Sequence, residues 1–138
     1  MQYGKGQNAL KGGYIADNCK GTVPDVLLIA TGSEVKICSQ SKTLLEKENI
    51  NAKVISLPCL ELFEIQTEKY RQSIISKEVK ARVCVEAASS FGWREYAGDN
   101  GQIIAMSTFG LSGDYKTLYN HFGFSPENIA KKSKTFIQ

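Results

Sequence analysis

The stretch "DVLLIATGSEVKIC", residues 25–38, determines the fold class because its pattern changes at one glycine. Asp25 to Ala30 form a short unbroken apolar run, which is typical of a strand buried on both faces of a sheet. After the glycine, charged and apolar residues mix with helical spacing. Ser33 with Glu34 can cap a helix that runs to about Glu48. The stretch therefore predicts a buried strand, a tight turn and a helix in succession.

The same alternation of strand and helix patterns continues along the chain. Further strands are predicted at Tyr14–Cys19, Ala52–Leu57, Ala81–Glu86 and Gln102–Ser107. Helices are predicted at residues 67–75, from a cap at Asp114 to near Phe122, and from Pro126, after the capping Ser125, to Phe136. Residues 89–98 fit a helix or an ordered loop, and Val35, Cys38 and Leu45 should form the inner face of the helix after the glycine. Strands that alternate with helices indicate a largely parallel sheet covered on both faces, a three-layer α/β/α sandwich.

The first strand should differ from the other four in direction. Residues 14–24 are too few for the helical crossover that joins parallel strands. We therefore expect five strands, mostly parallel, with the first antiparallel at or near an edge. Residues 1–12 are polar and glycine-rich and fit an arm or linker, which leaves residues 13–138 as one domain.

Composition excludes several classes of protein. The chain has 138 residues, 42% hydrophobic and 22% charged, with a net charge of +3, and its lysines are scattered, which argues against nucleic-acid binding. No apolar stretch approaches the ~20 residues that span a bilayer, and the N-terminus lacks the apolar core of a signal peptide. Four widely spaced cysteines without a C-x-x-C pair indicate reduced packing thiols in an intracellular, cytoplasmic protein.

The turn Thr31, Gly32, Ser33 and Glu34 is a candidate anion site, since a helix N-terminus exposes unpaired N–H groups. It lacks the further glycines of a dinucleotide fingerprint and the Gly-Lys-Ser/Thr of a P-loop. Glu34 would repel an anion, so an ordinary glycine turn with a serine cap is the competing interpretation. Neither interpretation requires a catalytic group.

Other candidate residues follow the predicted third parallel strand. Glu86 ends that strand at the carboxyl edge, where open α/β sheets bind ligands. Phe91, Trp93 and Tyr96 lie within six residues and could belong to the core or to a contact surface with another domain. His121 has no carboxylate or serine partner nearby in sequence, which favours a structural role.

Taken together, these segments resemble the C-terminal domain of transketolase from Gly12 onward. The segments that carry the resemblance are "GGYIADNC", "LLIATGSEV", "VISLPCLELFEIQ", "YRQSII", "ARVCVEA", "GDNGQIIAMSTFG" and "FGFSPENI". One departure follows "STFG", where this chain has Ser112, Gly113 and Asp114 instead of the family's usual Ser-Ala-Pro.

The resemblance implies a parent enzyme that transfers a two-carbon ketol unit between sugar phosphates in the pentose phosphate pathway. Such enzymes use thiamine diphosphate and a divalent metal, magnesium or calcium, held by upstream diphosphate-binding and pyrimidine-binding domains, and are homodimers. The family's Gly-Asp-Gly motif is missing here, since "GDN" and "GDY" lack the second glycine. We therefore expect no catalytic, cofactor or metal ligands in this fragment, which should be inactive alone.

Two alternatives remain open from the sequence. One is the equivalent domain of a related thiamine-dependent enzyme, such as deoxyxylulose phosphate synthase or a 2-oxo acid dehydrogenase subunit, against which "STFG" and "FGF" argue. The other is a stand-alone anion- or nucleotide-binding α/β module, which would require a ligand at the turn after the first parallel strand.

Overall fold

A computed structural model describes residues 10–32, 34–86, 93–99, 101–105 and 124–136. Within these residues the strands are β1 (Tyr14–Asp17), β2 (Val26–Ala30), β3 (Ala52–Ser56), β4 (Arg82–Glu86) and β5 (Gln102–Ala105). The helices are α1 (Glu34–Glu46), α2 (Leu60–Glu64), α3 (Glu68–Ile74), α4 (Arg94–Ala97) and α5 (Pro126–Lys134). Helix α2 has no counterpart in the sequence prediction, and the helix predicted between Asp114 and Phe122 lies outside the described residues.

The strands form one sheet in the order β1-β3-β2-β4-β5. Strands β2, β3, β4 and β5 are parallel, whereas β1 pairs antiparallel with β3 at one edge, with Tyr14 opposite Ser56. The predicted mixed sheet with an antiparallel edge strand is therefore confirmed. The physical reason is the short link between β1 and β2, which leaves no room for a helix between parallel strands.

Strand β2 lies at the centre of the sheet, and all five of its residues are buried. Val26, Leu28 and Ala30 point to one face, and Leu27 and Ile29 point to the other. Both faces consequently need a layer of helices. On the first face lie residues of α1 and α5, and on the second lie residues of α2, α3 and α4. The three-layer prediction is confirmed.

The helix ends follow the sequence signals closely. The Ser125 hydroxyl accepts a hydrogen bond from the N–H of Asn128 at 3.1 Å, with Pro126 in the first turn of α5. The Thr67 hydroxyl caps α3 in the same way through the N–H of Tyr70. The predicted inner face of α1, formed by Val35, Cys38 and Leu45, is buried. All four cysteines are free thiols, three of them buried, as predicted.

Gly12 fixes the entry of the chain into the fold. Its φ is +83°, a left-handed conformation, and its carbonyl accepts a hydrogen bond from the N–H of Cys59 at 3.2 Å. A Cβ at this position would lie 2.4 Å from the Cys59 carbonyl oxygen and 2.4 Å from the Phe63 nitrogen. The backbone before β1 thus packs directly on the start of α2, and no larger residue fits there.

Replacement of Gly12 by alanine should therefore destabilise the fold through both strain and overlap. We expect Gly12→Ala to lower the free energy of unfolding by about 3 kcal/mol, measured by urea denaturation. Gly21→Ala is the matched control, because Gly21 also has a positive φ of +69° but nothing within 4 Å of its added Cβ. It should cost about 1 kcal/mol. Equal losses for the two variants would contradict the close contact with α2.

A buried ion network joins β1 to α1. The Lys42 ammonium lies 2.6 Å from a carboxylate oxygen of Glu46 and 3.3 Å from one of Asp17, and Lys42 is 9% exposed. Burial lowers the pKa of Lys42, but the hydrogen bond to Glu46 and the charge of Asp17 outweigh it, so that the pKa lies above its ordinary value. The ammonium is therefore more favourable in the folded chain than in the unfolded chain.

A lysine whose pKa is raised by folding stabilises the protein below its unfolded pKa and loses that effect as the pH rises through the folded value. Lys42→Met leaves the carboxylate of Asp17 buried without its cation and should cost about 3 kcal/mol at about pH 8. This difference from the wild type should shrink above about pH 10.5. Lys47→Met, at an exposed position after α1, is the control. A difference that is constant across this pH range would be inconsistent with the network.

Candidate functional site

The carboxyl edge of the sheet contains a point at which the strand order reverses. From β2 the chain passes through α1 on one face to β3, whereas between β4 and β5 it includes α4 on the opposite face. Ligands of open α/β sheets bind outside the carboxyl ends of the strands at such a point. Because Ala30 of β2 is aligned with Val85 of β4, the residue after Ala30 lies beside Glu86. The structure thus brings the two predicted sites, the turn and Glu86, to the same place.

At the turn itself, Gly32 has a φ of +61°, which explains the need for glycine. The N–H groups of Glu34 and Val35 donate weakly to the carbonyls of Thr31 and Gly32, both at 3.3 Å. Glu34 is 4% exposed, and Ser33 lies outside the described residues. An anion here would compete with these two hydrogen bonds and meet a carboxylate close by, so binding at this turn stays a prediction.

The thiols beneath the sheet faces are unsuited to nucleophilic chemistry. Burial, followed by the neighbouring Cys84 and Glu34, raises the pKa of Cys38 well above its usual range. Burial raises the pKa of Cys84 to about 12, although Arg82 and Arg94 act in the opposite direction. Since the thiolate is the reactive form, both groups remain protonated and serve as packing residues.

Of the two interpretations left open for the aromatic run after Glu86, core or contact surface, the core interpretation fits the two aromatic residues that the structure describes. Trp93 is 4% exposed and Tyr96 is 7% exposed. Their ring centroids lie 6.4 Å apart, and that of Tyr96 lies 6.1 Å from that of Phe63. These rings fill the space between α2, α4 and the sheet, so their apolar surfaces are buried inside the domain. Phe91 and His121 lie outside the described residues, while Glu86 is half-buried and its interface role stays a prediction.

The burial of Trp93 changes the expected effect of its removal. Trp93→Ala should lower the free energy of unfolding by about 3–5 kcal/mol, because it leaves a cavity in the core. Urea denaturation of the 138-residue chain measures this loss, and Lys69→Ala on the exposed side of α3 serves as the control. A Trp93→Ala chain with wild-type stability would contradict the buried position of the ring.

At the opposite, amino edge of the sheet, Arg82 begins β4 and connects three segments. Its Nε donates to the carbonyl of Val79, its Nη2 to that of Ser76 and its Nη1 to that of Tyr96, each at 2.9 Å. Burial lowers the pKa of Arg82. In the part of the chain that the structure describes, no carboxylate forms an ion pair with this guanidinium.

Beside Arg82 lies a cleft of about 270 Å³, here called the basic cleft. Its lining consists of Phe63, Glu64, Arg71, Gln72, Ile75, Lys77, Lys80, Arg82, Glu95 and Tyr96. The Tyr96 hydroxyl donates a hydrogen bond to a carboxylate oxygen of Glu64, and burial, followed by this bond, raises the pKa of Tyr96 well above its usual range. Sequence reasoning missed the basic cleft, although the basic residues between Arg71 and Arg82 were a visible signal.

A metal ion that accompanies a diphosphate needs several side-chain ligands close together. Among residues 10–32, 34–86, 93–99, 101–105 and 124–136, no group of three or more His, Cys, Asp or Glu side chains could hold a metal ion. The sequence also lacks Gly-Asp-Gly. In the same described part, none of the helices has the length and apolar character needed to cross a membrane.

The fold is that of an α/β/α domain built on a mixed five-stranded sheet, and comparison with known proteins specifies its family. Residues 12–125 match the family model of the transketolase-like TK C-terminal domain. The transketolase of Aquifex aeolicus is 40% identical over 131 residues, 95% of this chain and 19% of its own length. Transketolase-1 from the chloroplast of Arabidopsis thaliana is 42% identical over 92% of this chain and 17% of its own length.

Solved structures agree with these sequence matches. The crystal structure of Pichia stipitis transketolase in complex with sedoheptulose 7-phosphate superposes with a TM-score of 0.86 and 32% identity, covering 99% of this chain and 19% of that chain. The chain therefore belongs to the transketolase family and corresponds to its C-terminal domain. It spans about a fifth of the length of the relatives it matches. A related thiamine-dependent enzyme or a stand-alone module is not favoured.

Proposed function

We propose that this chain is the C-terminal part of an enzyme that transfers a two-carbon ketol unit from a ketose phosphate to an aldose phosphate. The observation that carries the proposal is the family match over residues 12–125, within relatives that bear the name transketolase. The complex of the Pichia stipitis enzyme with sedoheptulose 7-phosphate supports the sugar-phosphate class of substrate. The reaction belongs to the pentose phosphate pathway, and we place the protein in the cytoplasm.

Within that enzyme, this chain supplies structure and contact surface, and upstream domains hold thiamine diphosphate with magnesium or calcium. The poor fit of the described residues to a metal and the missing Gly-Asp-Gly support this division. The partners are thus the diphosphate-binding and pyrimidine-binding domains, in a homodimeric parent. The carboxyl edge around Thr31 and Glu86 is the part of the surface that we assign to contact with them, or to a regulatory anion at the turn.

Calorimetric titration of thiamine diphosphate with magnesium into the 138-residue chain tests this division of roles. We expect no saturable binding and no ketol transfer, because the ligands for the diphosphate are elsewhere. The same chain linked to its upstream domains should bind the cofactor and catalyse the transfer. Saturable micromolar binding by the chain itself would refute the division. A linked protein that binds cofactor but transfers no ketol unit would refute the proposed activity.

A further inference from the structure

The basic cleft combines opposite charges in a way that the contact role of the domain does not explain. Of its ten lining residues four are basic and two are acidic, so the lining carries a net charge of +2. Lys77 forms an exposed ion pair with Glu68 at 3.3 Å, but Lys80 has no ion pair or side-chain hydrogen bond among the described residues. Lys80 thus contributes a positive charge that no described carboxylate neutralises.

Arg82 is held in a fixed position at this cleft. Three of its five N–H donors are used by the carbonyls of Val79, Ser76 and Tyr96, and these bonds restrict the guanidinium plane. Its positive charge is balanced by carbonyl dipoles instead of a carboxylate, since no described carboxylate pairs with it. A half-buried, preorganised arginine beside a lysine is an arrangement that favours a phosphoryl group.

The acidic part of the lining restricts the ligand further. Glu64 accepts the Tyr96 hydroxyl hydrogen bond, whereas Glu95 is exposed at the cleft. A simple anion would be attracted by the basic groups and repelled by these carboxylates. A molecule with a phosphoryl group at one end and hydroxyl groups at the other suits both, because hydroxyls donate hydrogen bonds to carboxylates.

The size and position of the cleft limit the ligand as well. A volume of about 270 Å³ lies just below the range of typical ligand pockets, ~300–1,000 Å³. It therefore suits a small metabolite rather than a dinucleotide. The cleft adjoins the first residue of β4, at the amino edge of the parallel strands, whereas the turn at Thr31 lies at the carboxyl edge. A ligand here would leave the carboxyl edge free.

We propose that the basic cleft binds a small phosphorylated polyol. Arg71, Lys80 and Arg82 face the phosphoryl group, and Glu95 accepts hydrogen bonds from the hydroxyl groups. Such a ligand connects α3, α4 and the start of β4 without covalent chemistry, and it acts at a site separate from the contact edge.

Chemical-shift titration of the ¹⁵N-labelled 138-residue chain tests the proposal with three probes. Glycerol 3-phosphate has both the phosphoryl group and the hydroxyl groups of the proposed ligand. Inorganic phosphate has only the phosphoryl group, and glycerol has only the hydroxyl groups. We expect glycerol 3-phosphate to saturate with a Kd of ~1 mM or tighter and to shift the amides of Lys80, Arg82 and Glu95. Inorganic phosphate should bind about tenfold more weakly, and glycerol should not saturate.

Variants separate the two ends of the ligand. Lys80→Gln should weaken both phosphate and glycerol 3-phosphate by about tenfold, because it removes a charge-assisted hydrogen bond. Glu95→Ala should weaken glycerol 3-phosphate while inorganic phosphate binds as well as before or better. Lys36→Gln, which removes an exposed charge from α1 on the other side of the sheet, is the matched control and should change neither.

Thermal denaturation first establishes that each variant is folded. Arg71→Gln provides a second basic variant with the same expected loss, although it also removes a hydrogen bond to the Gln66 carbonyl. The proposal is overturned if glycerol 3-phosphate binds with a Kd above about 1 mM. It is equally overturned if the shifted amides lie away from the cleft, or if Lys36→Gln weakens binding as much as Lys80→Gln.

Discussion

Strand β2 requires hydrogen-bonding partners on both edges and apolar cover on both faces, because all five of its residues are buried. Strands β3 and β4 satisfy the edges, and α1 with α5 on one side and α2, α3 and α4 on the other satisfy the faces. The reversal of strand order beside β2 follows from this central position. The position of Thr31 beside Glu86 at the carboxyl edge thus follows from the burial of β2 at the centre of the sheet.

Most of the fold could be predicted from local signals. The apolar run Val26–Ala30, the glycine after it and the cap of α5 at Ser125 act through neighbouring residues, so the sequence displays them directly. The antiparallel direction of β1 could also be predicted, because the link between β1 and β2 is too short for a helical crossover. Helix α2 was missed because its five residues carry a weak periodic signal, and its position depends on contact with Gly12.

The candidate sites could be predicted less well, because they depend on contacts between distant segments. A run with Trp93 and Tyr96 next to charged residues is compatible with both a core and a contact surface. The ring of Phe63, which lies 33 residues before Tyr96 in the sequence, packs against the Tyr96 ring and places it in the core. The role of Arg82 could not be predicted from the sequence either, because the carbonyls that accept its hydrogen bonds come from the loop before β4 and from α4. Neither arrangement has a fixed spacing that a sequence pattern could express.

The antiparallel pairing of β1 with β3 also affects the order in which the chain can fold during synthesis. Tyr14 pairs with Ser56, so β1 leaves the ribosome before its partner strand exists, and β2 leaves long before β4. The chain between paired strands loses conformational entropy before the strand pairing stabilises the fold. Sheets with such distant pairings therefore fold slowly. The wholly apolar strand β2 is therefore exposed on the nascent chain until its neighbouring strands are translated. A chaperone would bind β2 at this stage of synthesis.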